Sequence, residues 1–563
     1  MQETDPTNAQ SDNMELRRAG IFRRFLILWL ALLALLLLAI VPPLISVNRL
    51  QRRIATSISQ SLGRPVHLDR VTLNMLPLPG FTLDNLVVDE DPAFGSEPII
   101  RANSVRATLR IRSLWTKRVE FSTISFTDPS VNLVHLANGK WNLESILLQA
   151  SHIEAAPTAQ KKAGSAPRFP YIEATGARLN VKLNQEKIPL SFTNAEFALW
   201  LPNPEQWHLR LQANPARTDT NVSGTGTIQI EGTLGRARSL AQVPIHLHGE
   251  WLNAPLGGAS RVLFGRDAGW RGDMTLSANA QGTVGESAVE VKFSANDARR
   301  ADFVPKRPLT VELECLGTAT NLFHSFKSVR CNWPPSGSSG AQMLLVSGTV
   351  PDIRKLDSAK IDVSVPGIPA DTFLDWLHVI DERVPSDISM GGTLTGGLSY
   401  HPGELSPPGW RGELLVTGAK LMSADAGPQS LIAGDIVFHS GTQFVAKAHS
   451  RRERSPSPPR NSFVLAPVSL ALGGKEPATL EGRFDATGYT LHLTGAASSS
   501  RLLALGAALP EFGDGLAKAL PANHATGPFR IDLIAVRPWA GAQGWTETPQ
   551  HPATRRSHRA RRP

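Results

Sequence analysis

A chain of 563 residues is too long for one ordinary domain. Its composition, 41% apolar and 19% charged, excludes disorder driven by charge excess, while 46 Gly and 42 Pro argue for short strands and turns and against a helical bundle. The formal charge of +9 is concentrated at the C-terminus, where Arg537, Arg555, Arg556, Arg559, Arg561 and Arg562 face one acid, Glu547; this predicts a basic, solvated, disordered tail over 537–563 and no nucleic-acid partner.

Taken in chain order, residues 1–24 form a short N-terminal segment, and Phe25 to Asn48 carry no formal charge. The run LILWLALLALLLLAIV at their centre is long enough to cross a bilayer as a helix, predicted over 25–47. The stretch Pro42-Pro43-Leu44-Ile45-Ser46 offers no small-x-small cleavage site, so the helix reads as an uncleaved anchor. Arg17, Arg18, Arg23 and Arg24 are nearly matched by Arg49, Arg52, Arg53 and Arg64 across it. The charge bias therefore does not set the orientation, whereas the large part that follows is expected to be exported, with a cytoplasmic N-terminus.

Beyond the anchor, Leu50, Ile54, Ile58 and Leu62 recur every four residues, with Gly63 placed to end a short amphipathic helix. Period-2 sequence follows. Val105, Ala107, Leu109 and Ile111 alternate with Arg106, Thr108, Arg110 and Arg112, which predicts a strand with one apolar face. The pattern recurs at Leu179, Val181 and Leu183; Trp207, Leu209 and Leu211; Ile245 and Leu247; Leu309 to Cys315; Ile361, Val363 and Val365; and Phe529, Ile531 and Leu533. Helices are expected only at Leu143 to Ile153, at Asp371 to Ile380 with Phe373, Trp376, Leu377 and Ile380 on one stripe, and at Ser500 to Leu509. Gly269-Trp270-Arg271-Gly272 and Gly409-Trp410-Arg411-Gly412 each open a strand pattern, and Trp251 and Trp141 also sit at strand starts, where a ring can cover a sheet end. Pro-, Ser- or charge-rich breaks fall at 155–167, 334–340 and 451–460. The organisation read from this is a membrane-proximal region over 48–154, a linker over 155–167 and a β-rich repeat region over 168–536.

Two cysteines, Cys315 and Cys331, stand 16 apart in strand-like sequence. In an exported chain they fit one local disulfide, and two buried free thiols fit equally. Chemistry is not evident: there is no GxSxG, GxxxxGK[ST], HExxH, CxxC or EF-hand pattern. His246-Leu247-His248 and His67-Leu68-Asp69 put two polar side chains on one strand face, which an amphipathic strand does without a metal. No catalytic residues, metal ligands or cofactor are predicted, and the chain reads as no enzyme. The few helices leave two arrangements open, facing sheets with a dry core or one sheet curled into an apolar gutter.

The order of parts resembles the AsmA family of envelope proteins. The resemblance is carried by the anchor and following helix, by Leu62-Gly63-Arg64-Pro65 before the first strand, by the Phe81 to Asp91 segment, and by Val131-Asn132-Leu133 with Gly139-Lys140-Trp141-Asn142-Leu143. It implies a single-pass bacterial inner-membrane protein whose bulk is a periplasmic β-gutter similar to bridge-like lipid transfer proteins. The fold class expected is therefore mainly β: an N-terminal transmembrane helix, then an elongated, curled antiparallel sheet with few short helices. The function expected is binding of lipid acyl chains, in phospholipid transport between inner and outer membranes and in outer-membrane assembly; the alternative is a scaffold for outer-membrane protein assembly that carries no lipid. Expected partners are membrane phospholipids and an outer-membrane or periplasmic protein. Val105, Leu109, Ile111 and Leu133, apolar strand positions near the membrane, are the groove-lining candidates.

Overall fold

The structure, a computed structural model, describes residues 26–33, 51–52, 55–56, 58–59, 63–75, 78–110, 121–136, 139–144, 170–184, 186–203, 206–237, 239–335, 343–380, 388–402, 409–423, 429–440, 462–485, 488–508, 520 and 527–538. These divide into two compact units, Met1–Ala298 with Leu316–His324, and Arg299–Cys315 with Ser325–Pro563. Of the apolar run read as an anchor, residues 26–33 are described. They are helical, and Leu26, Ile27, Leu28, Trp29, Leu30, Leu32 and Leu33 are 50–67% exposed. No helix among the described residues is long and apolar enough to cross a membrane, and residues 34–47 lie outside them.

The first unit begins with β1 (Val66–His67), β2 (Arg70–Asn74), β3 (Gly80–Val88), β4 (Ile100–Leu109), β5 (Phe121–Thr127) and β6 (Ser130–His135). Both β1 and β2 pair with β3, β3 pairs with β4, and β4 pairs with β5 and the start of β6, all antiparallel. There follow β7 (Tyr171–Leu183), β8 (Glu186–Asn203), β9 (Gln206–Arg217), β10 (Thr227–Gly235), β11 (Pro244–Pro255), helix α1 (Leu256–Phe264) and β12 (Trp270–Thr283). From β7 to β12 each strand pairs antiparallel with the next.

The expectation of a purely antiparallel sheet is corrected at one seam. Here β5 and β6, broken at Asp128-Pro129, together run parallel to β7. A parallel pair needs a connection of a dozen residues or more, and the chain between His135 and Tyr171 supplies it; residues 145–169 of that connection, including most of the predicted 143–153 helix and the 155–167 break, lie outside the described residues.

Strands β13 (Glu286–Arg300) and β14 (Leu309–Thr320) carry the boundary between the units. The second unit contains β15 (Ser325–Trp333), β16 (Leu344–Val350), β17 (Lys360–Pro369), α2 (Ala370–Ile380), β18 (Ile388–Tyr400), β19 (Trp410–Ser423), β20 (Ile432–Ser440), β21 (Phe463–Leu470), β22 (Ala478–Phe484), β23 (Gly488–Ala497), α3 (Ser499–Ala508) and β24 (Phe529–Pro538). Every sequential pair from β15 to β24 is antiparallel. One core packs α3 on this sheet: Leu431, Leu470, Leu493, Leu502 and Leu505 are each fully buried, a side-chain burial that contributes roughly 1.5–3 kcal/mol apiece. Cys315 and Cys331 form a disulfide, with no free cysteine in the chain.

Helix α2 matches the predicted segment, but the face it buries is Ala370, Leu374, His378 and Val379; Phe373 and Ile380 of the expected stripe stay 36% and 61% exposed. The reason is His378, which lies flat on Phe303 at a ring separation of 4.4 Å and so takes an inward position that an apolar count does not assign it. Helix α1 was not among the expected helices, and Gly257 and Gly258 stand in its first turn. They serve close approach: a Cβ on Gly258 would run into the carbonyl oxygen of Gly224, and one on Gly257 would lie 2.9 Å from that of Trp270. Gly265 ends the helix in the left-handed conformation.

Both Gly-Trp-Arg-Gly copies open strands, β12 and β19, and both hold their second glycine at positive φ, 110° and 130°. At the first copy Asp267 ties the turn together. Its carboxylate accepts from the Gly269 amide at 2.9 Å, from Arg271 at 3.1 Å and from Arg261 of α1 at 2.7 Å. Burial pushes this carboxyl upward, but the Gly269 amide and the two guanidinium groups outweigh it and hold the group down at about 2. A carboxylate whose folded value is depressed stabilises above its unfolded value of about 3.9 and loses that contribution as pH falls toward the folded value. Asp267→Asn is therefore expected to lower the thermal midpoint of the purified chain at pH 7 and to have a much smaller effect near pH 2, as measured by circular dichroism.

A continuous apolar face and the candidate lipid site

Residues opposite one another in paired strands share a sheet face, and the pairing places the predicted apolar alternations in rows. One row runs through Leu83, Val105, Phe126, Ala174, Phe197, Leu211, Ile230, Gly249 and Ala278, one register partner from each strand from β3 to β12 except β6. The adjacent row is Phe81, Ala107, Ile124, Ile172, Leu199, Leu209, Gly232, Leu247 and Ala280. The parallel seam preserves this face, because β5 keeps Ile124 opposite Ile172 and Phe126 opposite Ala174.

Burial along the rows is uneven. At the N-terminal end Val66, Leu68, Val71, Leu83, Leu86, Val88, Ile99, Ala102 and Val105 form a packed core, with Ala55 and Ile58 of the segment after the apolar run set against it. Helix α1 makes a second cluster on Trp251, Ala254 and Met274, and Trp251 donates from Nε1 to the Thr225 carbonyl at 2.8 Å. Between these, Leu199, Leu209, Ile230, Leu247, Ala278 and Ala280 are half-buried and join no core cluster. They make a part-buried apolar strip on β8 to β12.

Two of the four sequence-predicted candidates are buried. Val105 is 2% exposed inside the N-terminal core, and Leu109 is 9% exposed on the same strand. Leu133 is half-buried on β6, opposite Val181 of β7. Ile111 lies outside the described residues.

That core is pinned by a buried polar clamp built from the motifs quoted above. Asn142 is fully buried; its Oδ1 accepts from the Val134 amide at 3.0 Å, and its Nδ2 donates to Glu90 Oε2 at 2.5 Å and to the Asn132 carbonyl at 2.8 Å. Arg64, 7% exposed, lies 3.6 Å from Glu90 and 3.1 Å from Asp91. The Ala93 amide first, and then Arg64, hold the Asp91 carboxyl below its ordinary value against the opposing effect of burial. Glu90 joins Leu-Gly-Arg-Pro to Gly-Lys-Trp-Asn-Leu, and its place within the acidic triplet Asp89-Glu90-Asp91 was the only sequence signal for it.

The opposite face of the same strands is polar. Arg210, Glu231, His248 and Asn279 are successive register partners on β9 to β12. Arg210 pairs with Glu231 at 3.4 Å, His248 bonds Asn279 at 2.6 Å, and Asn279 donates to Glu290 at 3.2 Å. The Asn279 contact, followed by Glu250 and Glu231, raises the His248 pKa. His246 is exposed on the same polar face, so Leu247 between them points to the apolar side.

Residues 22–197 match the model of the AsmA family. The comparisons with curated proteins and with solved structures give no match. The matched segment contains the clamp and the N-terminal core and ends within β8 at Phe197, before the first residue of the strip.

The clamp and the strip are expected to respond differently to truncation. Asn142→Ala removes one of the partners of the buried Glu90 carboxylate and the side-chain acceptor of the Val134 amide and should cost about 1–3 kcal/mol, and Val105→Ala about 2 kcal/mol. Leu209→Ser, at a half-buried site, should cost less than about 1 kcal/mol; chemical denaturation of the three variants checks the order.

Proposed function

The chain belongs to the AsmA family over residues 22–197, and from that premise we propose that it is a membrane-anchored envelope protein that takes lipid acyl chains onto the apolar strip of β8 to β12. The observation that carries this reading is the strip itself: a face continuous with a packed core, yet only part-buried at Leu199, Leu209, Ile230 and Leu247. Apolar surface left in water is costly. An acyl chain laid along it gains about 0.8 kcal/mol per buried CH₂ whatever its head group.

The exposed apolar helix at 26–33 supports the anchor, since a helix apolar on every side belongs in a core or a bilayer. The Cys315–Cys331 disulfide supports an oxidising compartment, which in a diderm bacterium is the periplasm. On this reading the N-terminus is cytoplasmic, the bulk is periplasmic, and phospholipid moves between inner and outer membranes, with a periplasmic or outer-membrane protein as the expected partner. The family assignment is also compatible with a scaffold for outer-membrane assembly that carries no lipid.

The two readings separate in one experiment. Lipid is extracted from the purified full chain in detergent and quantified by mass spectrometry for the wild type, for Ile230→Asp with Leu247→Asp, and for Val105→Ala. Acyl-chain binding predicts co-purified phospholipid in the wild type, retained in Val105→Ala and reduced several-fold in the double variant while its circular dichroism is unchanged. Equal lipid in all three, at the level of an unrelated detergent-purified protein with a similar anchor, would leave the scaffold reading.

A further inference from the structure

We propose that His135 and His324 form a two-histidine chelate for a divalent transition-metal ion, zinc being the probe. The two residues are 189 positions apart, yet their Nε2 atoms stand 3.3 Å from each other. His135 closes β6, and His324 ends the turn between β14 and β15.

The turn presents His324 in a defined state. Asn321, Leu322 and Phe323 all adopt positive φ, 53°, 55° and 65°, a left-handed run that carries backbone strain in residues other than Gly. It brings Nδ1 of His324 within 2.9 Å of the Asn321 carbonyl oxygen. A carbonyl only accepts, so Nδ1 carries the proton and Nε2 keeps its lone pair. This is the second-shell arrangement of metal-bound histidines, in which a backbone carbonyl fixes the tautomer and leaves the other nitrogen to ligate. His135 is held from the other side by Trp141, at a ring separation of 4.7 Å, and the two imidazoles lie within 24° of parallel.

The separation suits an ion as well as a direct imidazole hydrogen bond: nitrogens each about 2.0–2.1 Å from a tetrahedral zinc stand about 3.3–3.4 Å apart. No group of three or more His, Cys, Asp or Glu among the described residues is placed to hold a metal, so the two remaining positions fall to water or an external ligand. An ion here would clip the β14–β15 turn to the segment that closes the N-terminal core.

The test uses the full chain in detergent, stripped with a chelator and titrated with zinc by calorimetry. The expected result is one equivalent bound by the wild type, with at least tenfold weaker binding in His135→Ala and in His324→Ala and unchanged binding in His246→Ala. Thermal melting without zinc reports whether each variant is folded. If an alanine variant fails to melt cooperatively, zinc protection of His135 and His324 from carbethoxylation in the wild type decides instead. No zinc equivalent in the wild type, equal binding in all variants, or equal carbethoxylation with and without zinc would overturn the proposal and leave a direct imidazole pair.

Discussion

Strand register is the constraint on which the rest of the structure depends. Side chains alternate with a period of two, so a slip of one residue anywhere from β3 to β12 would turn a whole set of apolar side chains to the polar side. The pairing avoids this even where the topology changes. The parallel seam between β5 and β7 keeps Phe126 beside Ala174, and the bulge in β11 between Trp251 and Ala254 falls beyond the strip, where the chain turns into α1.

What differs along this face is its cover. At the N-terminal end a short segment carrying Ala55 and Ile58 closes it, and Asn142, Glu90 and Arg64 fix the closure through groups that would be costly to bury unpaired. In the second unit α3 closes a separate core of its own. In the meander from β8 to β12 the face is buried around α1, at Ala195 and Ala213, and at Trp207 and Ile245, and is only part-buried between them. The same alternating sequence thus gives a dry core where a helix or loop lies on it and a part-buried strip between such regions. The opposite face needs no cover, because Arg210, Glu231, His248 and Asn279 satisfy one another across the strands.

This explains how much was legible in the sequence. Period-2 alternation located nearly every strand named from it, Leu209 and Leu247 among them, because that signal is local. It could not separate Val105 from Leu209, which read alike as apolar residues between polar ones; their difference lies in what packs above them, and that is set by distant segments. Of the acyl-chain candidates, placed by nearness to the membrane, Val105 lies in the packed core, Leu109 is buried on the same strand and Leu133 is half-buried on β6. Helix α1 was hidden by glycines selected for close approach to the backbone of Gly224 and Trp270. Glu90 and the pairing of His135 with His324 depend on chain segments brought together from far apart, and no spacing rule reaches them.

The central claim is that the middle of the face is open to acyl chains and the N-terminal end is not. Its most direct test is a photo-crosslinking amino acid placed singly at Leu209 and at Leu83 in cells, followed by mass spectrometry for lipid adducts. Phospholipid adducts at position 209 and none at position 83 are the predicted result; adducts at neither position, or at both equally, would contradict it.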